Sequence, residues 1–302
     1  MSLLVIEPGP HSLIVDFGRP ATRSLGMPVG GAADRLSLAL GNRLVGNSPN
    51  TPALEITLTG PTLSCDAPTS GVLFGAPFSL HSDRQPLVVG KTFLLEVGEQ
   101  MRIGGTPRGL RAYLCVPGGF DSPAVLGSRS ALQPSRQGDS LDCSPSALPI
   151  RSLADDSPSS LSADDPVSLR FLPGAQSDWF DMAGFAAQFF QVTPASDRMG
   201  LRLKGEPLPR PAREIISEPV CPGTVQVTND GQCIILGVEG QTIGGYPKIA
   251  QVILADLDLV GQLRPGTLLR FKPVTFEQAE TADRQKAGEK QRWLARLAAV
   301  ID

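Results

Sequence analysis

Apolar positions along this chain gather in short runs separated by glycine and proline, a pattern that predicts many strands joined by turns rather than a helical bundle. The runs SLIVDF, LEITLTG, GVLFGA, PLVVG, TFLLEV, RAYLCV, VSLRFL, GTVQV, CIILGV and TLLRF are each of strand length, so the chain reads as mainly β. Three stretches carry helical spacing instead. Residues 32–45 place Leu36, Leu40 and Leu44 on one face and stop at Gly46-Asn47. Residues 178–190 set Trp179, Met182, Ala186, Phe189 and Phe190 roughly on one face behind a Ser177 or Asp178 cap. Residues 275–300 form an amphipathic C-terminal helix, charged on one side, with Trp293, Leu297 and Val300 on the other.

The stretch RSLADDSPSSLSADDP, residues 151–166, is too polar to pack and reads as a linker or surface loop. It divides an N-terminal domain, 1–150, from a C-terminal domain, 167–274, with the helix of 275–302 following. The two halves echo each other. VLFG at Val72 precedes GEQMRI at Gly98, and IILG at Ile234 precedes GTLLRF at Gly266, which suggests an internally duplicated β-barrel.

At 302 residues and 41% hydrophobic content, there is enough apolar material for a core in each domain. The net charge of −3 leaves no basic excess, so neither nucleic acid nor an anionic membrane is an expected partner. The opening MSLLVIEPGPH has no basic start and is broken by Glu7 and Pro8, unlike a signal peptide or membrane anchor. Cys65, Cys115, Cys143, Cys221 and Cys233 are odd in number and scattered, as expected of reduced thiols in a cytoplasm. With only His11 and His81 present, neither a metal site nor a Ser-His-Asp triad is expected. Chemistry must rest on carboxylates, Arg, Lys, Tyr and backbone amides.

The densest polar cluster is the elbow GVEGQTIGGYPKIAQVI, residues 237–253. Gly244 and Gly245 can adopt positive φ and present amides as an anion nest, and Pro247 fixes the chain just before Lys248. The Walker spacing is absent, so this is no conventional phosphate loop. A bare turn with Lys248 in water is the alternative, but Glu239, Gln241 and Tyr246 in the same loop favour a ligand site. In MPVGGAADR, Gly30 and Gly31 precede a helix whose amides suit an anion, and Asp34 is either a base or simply a favourable charge at the helix start. Asp16 and Arg19 in VDFGRP are either site residues or a surface ion pair. Arg129 in GSRS and Arg198, close to Ser196 in PASDRMG, stand beside serines in turns where a guanidinium can bind a carboxylate or phosphate. Glu55, at the head of a strand, is either edge-exposed or turned into a site.

Taken together, LGMPVGGAADRLSLALGNRLVGN, ALEITLTGPTL, RAYLCVPGGFDSPAVLGSRS, SDRMGLRLKG, IISEPVCPGTVQV, GQTIGGYPKIAQVILADL and QLRPGTLLRF follow one another in the order expected of a single family. Over nearly the whole chain the sequence resembles the biotin-dependent carboxyltransferase-like family. That family includes the C subunit of 5-oxoprolinase, the antagonist of the Kip kinase inhibitor, allophanate hydrolase subunit 2 and the matching part of urea carboxylase. The resemblance implies two cyclophilin-like β-barrel domains. It also implies a partner, the B subunit of 5-oxoprolinase or a Kip-inhibitor-like protein, and a further one in the enzyme's A subunit. The activity implied is ATP-dependent opening of 5-oxoproline to glutamate. One alternative is biotin-dependent carboxyl transfer to urea or a similar amide, although no Met-Lys biotin site occurs in these residues. The other is a non-catalytic partner-binding antagonist.

On the 5-oxoprolinase reading, Asp34, Glu239 and Lys248 are the expected catalytic groups. Asp16, Arg19, Gly30, Gly31, Glu55, Arg129, Ser196, Arg198, Gln241, Gly244, Gly245 and Tyr246 are the expected substrate-binding ones. The sequence departs from the family pattern in the elbow: members commonly read ADRQTTGGYPK, and this chain reads VEGQTIGGYPK, so Gly240 stands where an arginine is usual.

Overall fold

The computed structural model describes residues 2–153, 159–161, 166–210, 213 and 215–301, without the side chains of 300 and 301. Most of the expected 151–166 linker therefore lies outside the described residues, as does the side chain of Val300. Two compact units are present. One comprises Met1–Gly18, Asp34–Leu161 and Glu289–Asp302, and the other Arg19–Ala33 and Ser162–Gly288. The short segment 19–33 thus belongs with the second unit although it lies early in the sequence.

The first unit contains β1 (Ser2–Glu7), β2 (Ser12–Val15), α1 (Arg35–Leu44), β3 (Ala53–Thr57), β4 (Thr62–Cys65), β5 (Thr69–Gly75), β6 (Leu80–Ser82), β7 (Phe93–Leu95), β8 (Gln100–Ile103), β9 (Arg111–Cys115) and β10 (Ser140–Asp142). They form two five-stranded sheets, ordered β10-β1-β4-β8-β6 and β2-β3-β9-β5-β7. Period-two alternation turns Leu3, Val5, Leu63, Met101 and Ile103 of one sheet and Leu54, Ile56, Leu73 and Leu114 of the other into a single buried core. The helix α1 packs on β5 and β9, burying Leu36, Leu40 and Leu44 as its spacing predicts. Gly41 permits the close approach, since a Cβ there would lie 2.9 Å from the Cys115 sulfur and 3.0 Å from Phe74 Cβ.

The second unit contains β11 (Val167–Pro173), α2 (Met182–Ala187), β12 (Phe190–Val192), β13 (Gly200–Lys204), β14 (Glu218–Pro219), β15 (Thr224–Val227), β16 (Cys233–Leu236), β17 (Ile243–Gly244), β18 (Lys248–Val252), α3 (Leu257–Val260), β19 (Leu268–Pro273) and the start of α4 (Phe276–Ile301). Seven strands close a barrel in the order β11-β18-β15-β16-β13-β12-β19, the ring completed by parallel pairing of β11 with β19. Inside it, Phe171, Phe185, Phe190 and Phe271 stack edge and face with centroids 4.6–6.1 Å apart. Each such pair adds about 0.5–1.5 kcal/mol beyond its buried area.

The chain is mainly β, with few helices, as its patterning predicts. Two local expectations are corrected. Residues 178–190 do not make one helix: a 3-10 turn at Ser177–Trp179 is followed by α2, capped by Asp181, whose carboxylate accepts the Ala183 amide, and Phe190 already lies in β12. The spacing mimics a helical face because Met182 and Phe190 meet the same barrel core from a helix and from a strand, whereas Phe189 is exposed. The run PLVVG, residues 86–90, is a loop with a single bridge from Pro86 to His81, and Val88 is exposed. As for the echo, its four apolar segments all contribute strands, but β5 and β8 lie in different sheets whereas β16 and β19 share one barrel.

Candidate functional site

Inward and outward positions alternate along the barrel strands, and the outward set builds a site. Val225 and Val227 of β15, Cys233 and Ile235 of β16, and Leu201 and Leu203 of β13 enter the core. Their neighbours Gln226, Ile234 and Arg202 face the other way. These three are in register: Gln226 pairs with Ile234, and Ile234 with Arg202. They therefore stand in one row across three adjacent strands, on the floor of a pocket of about 210 Å³. Leu236 adds apolar floor, and Gln241 and Tyr246 from the elbow form a wall.

The elbow is held in place from several sides. Gly237 to Gly240 form a turn in which the Gly237 amide donates to the Met199 carbonyl and the Gly240 amide to that of Gly237. Arg23 donates to the carbonyls of Val220 and Gln241, bracing the wall from the segment 19–33. Arg198 is buried, donates to Glu239 at 2.6 Å and to the Gly31 carbonyl at 2.6 Å, and so ties the elbow to the Gly30-Gly31 turn. Glu239 itself is 37% exposed, leaving a carboxylate that water and solutes can reach.

Several expectations for this loop change. Gly244 and Gly245 do not take positive φ and form no nest. Gly244 instead pairs with Glu218 in the β14–β17 ribbon, and a Cβ there would fall 2.4 Å from the Gln226 amide and 2.8 Å from that of Gln241. The absence of a Cβ lets the two carboxamides pack over the backbone, and a larger residue would displace them. Lys248 is not in water: it opens a barrel strand, is buried, and its ammonium pairs with Glu218 while its amide donates to Gln176. The hydrogen bond from the ammonium and its charge hold the Glu218 carboxyl below its ordinary range. Gly30 and Gly31 do have positive φ, but the Gly30 amide is spent on the Val238 carbonyl. Arg19 is buried in the same unit, with its guanidinium 3.3 Å from where a Gly30 Cβ would stand. Ser196 accepts the Arg202 amide in the turn before β13, a structural role.

The remaining candidates lie in the first unit. Asp34 is fully buried at the N-cap of α1, accepting from the amide and hydroxyl of Ser37 and from the Ser160 hydroxyl. Its own amide donates to the Tyr113 hydroxyl, which donates to Glu55 at 2.8 Å. Glu55 is likewise buried, with Arg111 3.3 Å away, so it is neither edge-exposed nor open to solvent. Burial, with the Glu55 and Asp34 charges, raises the Tyr113 phenol well above its ordinary value. For Asp16, burial works to raise the carboxyl, yet hydrogen bonds from Ser128, Ser130 and the amides of Arg129 and Gly18 outweigh it and hold the group below its usual range. Asp16 thereby fastens the GSRS loop, and the Arg129 side chain points to Asp121. Among the described residues no cluster of metal-ligating side chains occurs, the five cysteines are free, and no helix is long and apolar enough to cross a membrane.

Sequence reasoning passes over Gln226, Arg202, Arg23, Glu218 and Gln176. Gln226 and Arg202 sit at alternate strand positions like any solvent-facing residue, and only the three-strand register reveals them as a pair.

Comparison with known proteins agrees with this architecture. The carboxyltransferase domain model, subdomain A and B, matches residues 25–273. The chain is 34% identical to the C subunit of 5-oxoprolinase from Escherichia coli, over 96% of this chain and 98% of that one. It is 32% identical to the Haemophilus influenzae protein of the same name, over 91% and 92% respectively. The crystal structure of Kluyveromyces lactis urea carboxylase superimposes with a TM-score of 0.86 at 27% identity, covering 97% of this chain and 29% of that one. By the extent of the domain match and of these identities, the chain belongs to the family of the carboxyltransferase domain, subdomains A and B.

Proposed function

We propose that this chain is the C subunit of a 5-oxoprolinase, acting with the B subunit, and with the A subunit, in the ATP-dependent hydrolysis of 5-oxoproline to glutamate in the cytoplasm. Near full-length similarity to two proteins named as the C subunit of that enzyme supports the reading. The observation that carries it is the pocket of about 210 Å³ on the outer face of the second unit's barrel, which sets a few polar side chains over an apolar floor and is walled by Gln241 and Tyr246.

In this reading the lactam is bound in that pocket. Glu239, solvent-accessible and oriented by buried Arg198, handles protons. Lys248, held by Glu218 next to Gln226 in the barrel register, supplies positive charge for the developing oxyanion. Arg198, Arg19, Gly30 and Gly31 act by fixing the elbow. In the first unit Asp34, Glu55, Asp16 and Arg129 hold loops and a helix start in place. The elbow does not fit a polyphosphate, because its glycine pair lacks the backbone of a nest. No ATP step is therefore assigned to this loop, and the nucleotide is assigned to the partner subunits.

A second reading, biotin-dependent carboxyl transfer to urea or a similar amide, is favoured by the urea carboxylase superposition. It requires a biotin carrier in trans. Reconstitution with the partner subunits separates the two. ATP hydrolysis that depends on 5-oxoproline and releases glutamate supports the first. Turnover that requires urea and a carboxybiotin carrier replaces it with the second, and tight partner binding without turnover points to an antagonist.

A further inference from the structure

The floor of the pocket holds two polar groups of unusual freedom. Gln226 is 1% exposed, yet its carboxamide makes a single long hydrogen bond among the described residues, 3.5 Å to the Tyr246 carbonyl. A buried amide normally satisfies both its donor and its acceptor, because leaving either unpaired costs about 1–3 kcal/mol. Arg202 takes no hydrogen bond or salt bridge through its guanidinium among the described residues, although its charge is felt at Asp230. Both groups line the same pocket, with Ile234 between them in register.

From this row we propose that the pocket reads a small molecule carrying both a cis-amide edge and a carboxylate, the amide on Gln226 and the carboxylate on Arg202. A primary carboxamide presents one acceptor and one donor side by side, and its complement is an N–H and a C=O on the same edge. Lactams and urea-type groups have that edge, whereas an extended trans amide does not. Arg202 offers a forked donor set that matches a carboxylate. Adjacent strands lie ~4.8 Å apart, so the two backbones are separated by roughly 10 Å, a span that both side chains can lean across over the apolar Ile234. Asp197, an acid that also lines the pocket, directs an oxygen to the amides of Met199 and Gly200. The elbow glycine at 244 fits the same arrangement, since any larger residue would push the Gln226 carboxamide away.

This assignment rests on the reading of the pocket as the substrate site, and it is tested on the full chain, alone and with its partner subunits. Binding of 5-oxoproline, N-methyl-5-oxoproline, 2-pyrrolidinone and proline is measured by ligand-observed NMR and calorimetry. In the wild-type protein 5-oxoproline is expected to bind, and N-methylation or loss of the carboxylate to weaken binding by about tenfold or more. Gln226→Leu is expected to abolish the N-methyl discrimination only, and Arg202→Met the carboxylate discrimination only. Gln226→Glu, which retains the volume and the acceptor for the lactam N–H but has no amide donor, is expected to weaken binding while keeping the N-methyl discrimination, with circular dichroism melts confirming that each variant folds. Variants that bind and discriminate like wild type, or a wild-type protein that binds none of the probes, overturn the proposal. If the reconstituted complex turns over 5-oxoproline and both variants are unaffected, the pocket assignment falls and the 5-oxoprolinase reading stands. If another amide acid binds with the same dependence on Gln226 and Arg202 while 5-oxoproline is not turned over, the assignment stands and the 5-oxoprolinase reading falls.

Discussion

Tyr113 and Glu55 share a buried hydrogen bond of 2.8 Å, and the same phenol oxygen accepts the Asp34 amide at the start of α1. One hydroxyl thus joins a sheet carboxylate to a helix cap. Tyr113→Phe removes a donor from a fully buried carboxylate and an acceptor from a buried amide. It is expected to cost about 2–4 kcal/mol by the penalty for unpaired buried groups, read as a lower urea midpoint with an unchanged m-value. A midpoint equal to wild type would show that the network contributes nothing to stability.

Asp16 predicts an acid-dependent defect. Its folded-state pKa is depressed, so its stabilisation is fully present above the ordinary carboxylate value and is lost as pH falls through the folded one. Asp16→Asn, which cannot accept the same four hydrogen bonds, should destabilise the protein by about 1–3 kcal/mol at pH 7. The gap to wild type should narrow as pH drops below about 4. Thermal melts of both proteins across pH 3–7 (about that range spans the carboxylate titration) measure it, and a gap constant with pH would contradict the depressed value.

Lys248 separates stability from chemistry. Its partner Glu218 is 43% exposed, so removing the ammonium leaves no stranded buried charge. Lys248→Met retains the apolar stem and should melt close to wild type, while turnover of the reconstituted complex falls by about a hundredfold or more. Unchanged kcat/KM would remove Lys248 from the chemistry.

The resemblance implies an arginine at the position of Gly240, and the surrounding backbone leaves little room for a side chain there. A Cβ there would lie 2.9 Å from the Met199 carbonyl and 3.0 Å from that of Gly237. Gly240→Arg should therefore lower stability by about 1–3 kcal/mol through local overpacking rather than raise activity. A variant with wild-type melting and faster turnover would contradict the overpacking expected at this turn.

The strand-rich architecture is legible in the short apolar runs because the barrel strands supply apolar residues to the core, and Val225, Ile235 and Leu201 announce themselves by type. Lys248 escapes as a buried strand residue because a lysine heading KIAQV suggests solvent, whereas Glu218, 30 positions earlier, makes its burial tolerable. Phe190 reads as helical because spacing alone does not distinguish two elements converging on one core. The elbow stands out by its crowding of polar groups, but its glycines serve carboxamide packing rather than an anion. The floor row of Gln226, Ile234 and Arg202 is beyond sequence reasoning, since register between distant strands is set by the closure of the whole barrel.

That closure also bears on how subunits can meet. A sheet that returns on itself through β19 and β11 spends its main-chain donors and acceptors internally, so a partner approaching the barrel wall must recognise side chains and loops. The two open sheets of the first unit end on β10, β6, β2 and β7, although in β2 the outward carbonyls of Ser12 and Ile14 already accept the amides of Ser135 and Ala131. Assembly by strand addition is a mode of association available to the first unit and denied to the barrel.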